Sequence, residues 1–439
     1  PLETHISGGE LNGLLRARDK ELVNLQLAFG EFAAGTVEAL NAAHNAASTI
    51  PAPVSMTGRN TGLLETDLLN FSGVTHIGIV DDQGVVLRNF RIDFGTGEIL
   101  DDQANITPFG GTIADLQAAL DTAMDPDGSI SFDNGVMQLN TDSPNKGIAI
   151  TDDPTSPGRR AGRGFSHTFG LNDLVTHGAP LSYATGLSAL DDHGFTDGDL
   201  TFAIRDQDGS IARTFNFHVT AGTSLGTLRN DINTALQGYG AANLDANGRL
   251  SLTATNTNFS RIDVLQDTTV RGDTGLSMSE LFGFGEQIPI ERARSNSIRA
   301  DIRANPNLLS AAQADLAGAA AGTRVLSPGD GRGALALEAA GTTPRAFASA
   351  GGLSGQVTSV TDYAARLAGH AGVRAEALDG ARAAAESVRQ EVRDRRMSEE
   401  GVNLDEELVK MTTYQQAYSA ASRMIQAAKD LYDICLNMV

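Results

Sequence analysis

Tryptophan is absent from this 439-residue chain, cysteine occurs once, and Lys plus Arg total 33 against 54 for Asp plus Glu. Each shortage excludes something. One cysteine rules out an intramolecular disulfide framework, and Cys435 reads as a small buried hydrophobe and not as a reactive thiol. A net charge of −21 repels phosphate backbones and anionic lipid, so nucleic acid and membrane insertion are excluded as modes of action. No apolar run approaches the roughly 18 residues of a membrane span. With aromatics at 5% and 48 glycines, large anchors are few, which suits long helices packed closely through small residues.

Chemical motifs are equally scarce. The eight histidines form no His-x-x-x-His or Cys–His ligand cluster, and there is no Gly-x-Ser-x-Gly elbow or phosphate-cradling Gly-Lys-Ser/Thr. His193 follows Asp191 and Asp192, but neighbours in sequence do not make a dyad. The Asp-rich stretches starting at Asp81, Asp125, Asp206 and Asp245 lack the further oxygen ligands of a calcium loop. They lie between strand-like runs, where Asp and Gly build turns. Gly329–Ala334 (GDGRGA) lacks the preceding strand of a dinucleotide site and reads as the turn before a helix. The expectation is no enzyme, no cofactor and no metal. The one compact basic cluster, Arg159–Phe165, is expected to be a solvated loop or to dock on a neighbouring subunit.

What is present is concentrated at the end. Met411, Tyr414, Tyr418, Ala421, Ile425, Ala428, Tyr432, Cys435 and Val439 follow one another at spacings of 3, 4, 3, 4, 3, 4, 3, 4 in a stretch free of Gly and Pro. That is a heptad seam along one side of a helix, with Leu404 and Leu408 as further anchors. A seam running to the last residue calls for a partner helix, so these residues are the candidate assembly interface.

The chain is expected to be multidomain, α plus β: a helical stem from both ends with an inserted, duplicated hairpin–helix–hairpin region, mostly antiparallel. A helix is expected over Glu10 to Ser48, with Leu15, Leu22, Leu25, Phe29 and Phe32 on or near one face, then a linker from Thr49 to Arg59. The middle contains a repeat. Asp82–Phe94 aligns with Gln207–Val219 at an offset of 125, and Thr112–Met124 with Ser224–Leu236 at 112. Ser129–Leu139 aligns with Ala242–Leu252 and Phe169–Leu171 with Phe282–Phe284, both at 113. Each copy reads as hairpin, Thr- or Ser-capped helix, hairpin and closing strand. They differ by the connection after the first hairpin, 17 residues in one (Gly95–Gly111) and 4 in the other (Thr220–Thr223). Ala304–Ala319 reads as a short helix and Val357–Arg396 as a long one. The expected division is 1–58 helical stem, 59–187 first module, 188–290 second module, 291–400 helical domain and 401–439 assembly helix.

Gly401–Val439 resembles the C-terminal segment of axial flagellar proteins, through the Gly-Val-Asn-Leu-Asp-Glu-Glu start and the Tyr-Gln-Gln-Ala-Tyr core at Tyr414–Tyr418. Gly162–Val175 (GRGFSHTFGLNDLV), Gly329–Glu338, Ser7–Asp19 and Ala39–Ser48 are similar to segments of the hook-associated group at the hook–filament junction. The long N-terminal helical region of that family has no counterpart here and the sequence starts at Pro1, so it is read as lacking that part. The resemblance implies self-association into a ring or tube, with hook protein and the next junction protein as neighbours. It further implies an export chaperone on the C-terminal helix, and passage through the flagellar type III system to the cell exterior. A secreted binding module or adhesin is the alternative, for which exposed aromatics such as Tyr183 and Tyr239 would be needed.

Overall fold

Helix dominates where the sequence is rich in Ala and Leu and free of Pro. In the computed structural model, which describes residues 8–178, 180–207, 209–401 and 403–437, Gly9–Arg16 is helical. A π-helical turn Ala17–Glu21 and the helix Leu22–Asn45 follow directly. The predicted leucine and phenylalanine face is split: Leu25 and Phe32 pack against the cluster around Phe347 and Tyr363, while Leu22 and Phe29 are exposed. The buried positions are Ala28, Gly30, Glu31, Ala34, Gly35, Val37, Glu38, Asn41, His44 and Asn45. Small residues allow close approach here, since a Cβ on Gly30 would run into the Pro289 carbonyl and one on Gly35 into the Phe347 ring.

The chain divides into two compact units, Pro1–Ala368 and Gly369–Val439. Both copies of the repeat lie in the first, and their topologies match. In the first copy, strand Val74–Asp81 sits between Val86–Asp93 and Lys146–Asp152; in the second, Gly198–Asp206 sits between Ile211–Val219 and Phe259–Asp267. All pairings are antiparallel, and each hairpin carries an irregularity at the equivalent place, Ile79/Val80 and Ile204/Arg205. The helices Ile113–Met124 and Leu225–Ala235 start at Thr112 and Ser224, whose hydroxyls accept the N–H of Asp115 and Thr227. Each copy encloses its own apolar core, around Phe90, Leu116 and Phe132 in the first and Phe202, Leu228 and Phe282 in the second.

Three expectations need correction. Phe169–Leu171 and Phe282–Phe284 are not closing strands. They lie at the ends of the short helices Phe165–Phe169 and Met278–Phe282, each stopped by a glycine in the left-handed region, Gly170 at φ 69° and Gly283 at φ 71°. The connection Gly95–Gly111 is not plain loop but adds the strands Glu98–Asp101 and Ile106–Pro108 to the first sheet. Ala304–Ala319 is not a helix beyond the single turn Pro306–Leu308. Its Ala312, Ala314 and Leu316 instead pack in extended form against Val80, Val86 and Ala149 on the sheet, and Asn89 Nδ2 donates to the Leu316 and Ala319 carbonyls. Burying a sheet face outweighs the intrinsic helix preference of alanine, which is well under about 1 kcal/mol per residue.

The long C-terminal helix spans Val360–Glu400, and its first turns pack Val360, Tyr363 and Leu367 against Ala28 and Phe347 within the first unit. In the second unit Gly401 interrupts the helix, and Asn403 caps a new one, Leu404–Leu436, by accepting the Asp405 N–H. Asp405, Glu406 and Glu407 in its first turn complement the positive end of the helix dipole.

Candidate assembly helix and a buried polar clasp

Every predicted seam residue of Leu404–Leu436 faces solvent. No described residue of this helix is buried, and Tyr418, Met424 and Ile425 are 77%, 74% and 71% exposed. Leu404, Leu408, Met411, Tyr414, Ala421, Ala428 and Tyr432 are exposed as well. Cys435, expected to be buried, is an exposed free thiol. Val439, the last predicted seam position, lies outside the described residues.

A second stripe, not predicted, runs beside the first. Ala417, Ala420, Met424, Ala427, Leu431 and Ile434 recur at spacings of 3, 4, 3, 4, 3. At 3.6 residues per turn the two stripes are contiguous and cover about 160° of the helix circumference. Gln416, Ser419, Arg423, Gln426, Asp430 and Asp433 hold the opposite side. An arc this broad exceeds a single coiled-coil seam and offers contact to more than one partner helix. The signal was present in the sequence as a second heptad phase.

The first unit holds the reverse arrangement, polar groups buried and paired. Asn41, His44 and Asn45 on helix Leu22–Asn45 grip the loop after Gly170. Asn41 Oδ1 accepts from the N–H of Leu174 and Val175 at 2.9 and 2.8 Å, while its Nδ2 donates to the Val175 carbonyl. Asn45 Oδ1 accepts from Ser166 Oγ and the Asn172 N–H, and its Nδ2 donates to Asp173 at 2.7 Å. Asn172 Nδ2 donates to the carbonyls of His44 and Ala47 and to Ser310 Oγ. His44 Nε2 accepts the Ser310 N–H at 3.0 Å, so Nδ1 carries the proton and donates to the Asn172 carbonyl at 2.6 Å. Burial, set against that carbonyl, lowers the His44 pKa.

A charged layer adjoins it. Glu38 accepts from Arg163 at 3.0 Å and lies 3.5 Å from His167 Nε2, and Arg59 donates to Asp173 at 2.6 Å. Burial works to raise the Glu38 pKa, but Arg163, His167 and Arg59 overcome it and hold the carboxyl well below its ordinary value. Burial pushes His167 down to about 4.

The basic cluster Arg159–Phe165 is therefore not a solvated loop, its arginines being paired or buried and only Arg159 keeping a substantially exposed side chain. Arg159 pairs with Asp152 and Arg163 with Glu38. Arg160 is 2% exposed and donates to the carbonyls of Leu68, Leu69 and Thr185. Burial lowers its pKa to about 10, which leaves it charged at neutral pH. A second buried arginine, Arg271, forms a two-pronged pair with Asp67 at 2.8 and 2.9 Å and donates to the His193 carbonyl, tying the two copies together.

The remaining sequence candidates settle into structural positions. Asp81, Asp206 and Asp245 turn their carboxylates back on the N–H groups of their own hairpin turns. His193 Nδ1 accepts the Phe195 N–H. Tyr183 is buried with its ring under Arg292, and Tyr239 is half-buried between Phe215 and Phe259, so neither supplies the exposed aromatic face of an adhesin. Among the described residues, no group of three or more His, Cys, Asp or Glu could hold a metal ion, and no helix is long and apolar enough to cross a membrane.

Comparison with known proteins bears on both regions. A family described as "Flagellar basal body rod FlgEFG protein C-terminal" matches residues 394–438, which contain the exposed helix. A "Flagellin hook IN motif" matches residues 199–256, in the second copy of the repeat. Flagellar hook-associated protein 1 of Bacillus subtilis (strain 168) is 34% identical over 85 residues, which is 19% of this chain and 17% of that protein. The flagellar hook junction protein FlgK from Burkholderia pseudomallei aligns over 88% of this chain and 64% of its own at 11% identity. Its TM-score of 0.11 carries no argument. Taken together, the matches support a place in the flagellar hook family.

Proposed function

We propose that this chain is a structural subunit of the bacterial flagellum, a hook-associated protein of the first type, joining hook to filament by helix-bundle polymerisation. The observation that carries the reading is the wide apolar arc of Leu404–Leu436, exposed along its length and lying in the segment that matches the flagellar basal body rod C-terminal family. An arc of that width has no stable place in water and is satisfied by helices of neighbouring subunits. Each contact contributes little, and rigidity comes from burial summed over many copies. In this reading the two α+β copies, tied to each other through Arg271 and Asp67, lie outside the helix bundle, and the polar clasp fixes the first copy to helix Leu22–Asn45. Hook protein and the next junction protein are the neighbours. A chaperone covers the helix before export through the flagellar type III route to the cell exterior. The chemistry of the described residues is that of scaffolding, and the reading includes no catalytic step.

The test is a pair of charge insertions, Tyr418→Asp and Ile425→Asp, made in the full-length protein. Incorporation at the hook–filament junction, seen by electron microscopy and by filament growth, is expected to be lost while the soluble subunit melts as the parent does. Normal incorporation of the doubly charged protein would sink the proposal.

A further inference from the structure

The two copies of the repeat differ at one sheet edge. In the first, strand Val86–Asp93 is covered on its outer side by Glu98–Asp101, with Phe90 opposite Asp101, Arg91 opposite Leu100, Ile92 opposite Ile99 and Asp93 opposite Glu98. In the second, the equivalent strand Ile211–Val219 pairs only with Gly198–Asp206 and stands at the end of its sheet. The connection that supplies the covering strand in the first copy is reduced to Thr220–Thr223 here. Phe215–His218, the counterparts of Phe90–Asp93, therefore present an outer row of backbone N–H and C=O groups with no strand beside them among the described residues. Residues 211–214, 216 and 218 are exposed.

Apart from the bulge at Ala212, near one end, this edge lacks the usual protection. IARTFNFHV contains no proline, lysine or carboxylate. Its one arginine, Arg213, lies over the Tyr239 ring at 4.5 Å. Natural edge strands of this length are normally blunted by proline, lysine or a covering segment, and those left open take up another strand.

We infer that Ile211–Val219 is an interaction edge whose partner is the same strand of a second copy of this chain, paired antiparallel about Phe215. The strand is suited to that register. Phe215 meets its own copy, Thr214 meets Asn216 and Arg213 meets Phe217, so aromatic and cation–π pairs form on one face and a neutral polar pair on the other, up to the bulge at Ala212. In a chain of net charge −21, two such strands meet with no carboxylate opposed to carboxylate across the seam. The product is one continuous six-stranded sheet with a two-fold axis. A single strand pair buries less than a standard interface, so the contact is a weak one between free subunits. The inference is independent of the terminal helix and of the proposed flagellar role.

The register makes a sharp test. In a full-length Cys435→Ser background, Thr214→Cys and Asn216→Cys chains are prepared separately, then oxidised alone and mixed. Position 214 faces 216 of the partner and not itself, so the mixture is expected to give several-fold more disulfide dimer than either chain alone. An Ile106→Cys chain, exposed on the first copy, serves as the background for random collision. Equal yields in all samples, including dimers held through the terminal helix, or yields no higher than that background, would overturn the inference. Thr214→Lys with Asn216→Lys sets lysine against lysine across the axis. Both sites are exposed, so the fold is retained, and in a single chain carrying Thr214→Lys with Asn216→Asp, where each lysine meets the aspartate of the second copy, association is expected to return; equal association of the two double variants would count against the register.

Discussion

The first unit buries polar groups that are paired, and the terminal helix exposes apolar groups that are not. Asn41, His44, Asn45 and Asn172 are each 5% exposed or less, and every one meets donors and acceptors fixed by backbone. Met411, Tyr418, Ile425 and Leu431 are all more than half exposed. The contrast separates two kinds of specificity. A buried amide network permits one arrangement of its neighbours, because any slip strands a donor or acceptor out of water. An apolar stripe permits any partner of matching spacing. On the proposed role, a subunit that holds its modules in one arrangement yet joins many copies of itself needs the first inside and the second outside.

The comparison is tested hardest at the buried charges. Arg271→Met removes the cation between the two repeat copies and leaves Asp67, 6% exposed, without its partner. Stranding a buried carboxylate in this way costs about 3–5 kcal/mol, and urea unfolding is expected to show a loss of that size. Replacing both partners, Asp67→Asn with Arg271→Met, is expected to recover part of it. Next comes acid. His167 is neutral in the folded state down to about pH 4 but takes a proton below the ordinary histidine value of about 6.5 once unfolded. The unfolded chain binds the extra proton, so stability is fully present above about pH 6.5 and declines as pH falls toward 4. The loss approaches about 3 kcal/mol at the lower end. His44, His76 and His193 are also lowered, first by burial, and act in the same direction. His167→Gln is expected to flatten the profile between pH 6.5 and 4; an unchanged slope would show that the proton goes elsewhere. Asn172→Ala, which leaves the Ala47 carbonyl and the Ser310 hydroxyl without this donor while the His44 carbonyl keeps the Ala47 N–H, is expected to cost roughly 1–3 kcal/mol by the same measurement.

The repeat was legible because hairpin turns and helix caps leave fixed residues at fixed offsets. Gly135 in its Asn-Gly turn and the Thr112 and Ser224 caps stand where the alignment put them. The clasp was not legible, although both of its segments were singled out by resemblance. A search for apolar periodicity passes over Glu38, Asn41, His44 and Asn45, whose helical spacing marks a buried face just as leucines would. Partners more than 120 residues away satisfy them, and that separation has no local sign. Ala304–Ala319 failed for the opposite reason, since local helix preference gave way to a sheet face built more than two hundred residues earlier. The second stripe of the terminal helix was in plain view as a heptad phase but lay behind the stronger first one.

The smallest effect discriminates best between the two regions. Met424→Ala and Leu431→Ala remove large side chains from a helix where both are more than half exposed. With no cavity to leave and alanine the better helix former, each is expected to change the unfolding free energy of the soluble subunit by less than about 0.5 kcal/mol. The same kind of truncation at Leu120 or Ile232, both fully buried in the repeat cores, is expected to cost about 2–5 kcal/mol. If Met424→Ala alone cost more than about 1 kcal/mol in the monomer, the helix would already be packed against something in solution. The exposed arc would then be a property of the isolated chain and not of the working subunit. If the cost is negligible but incorporation falls, the arc is in use only between subunits, and Met424 and Leu431 join the first seam as contacts.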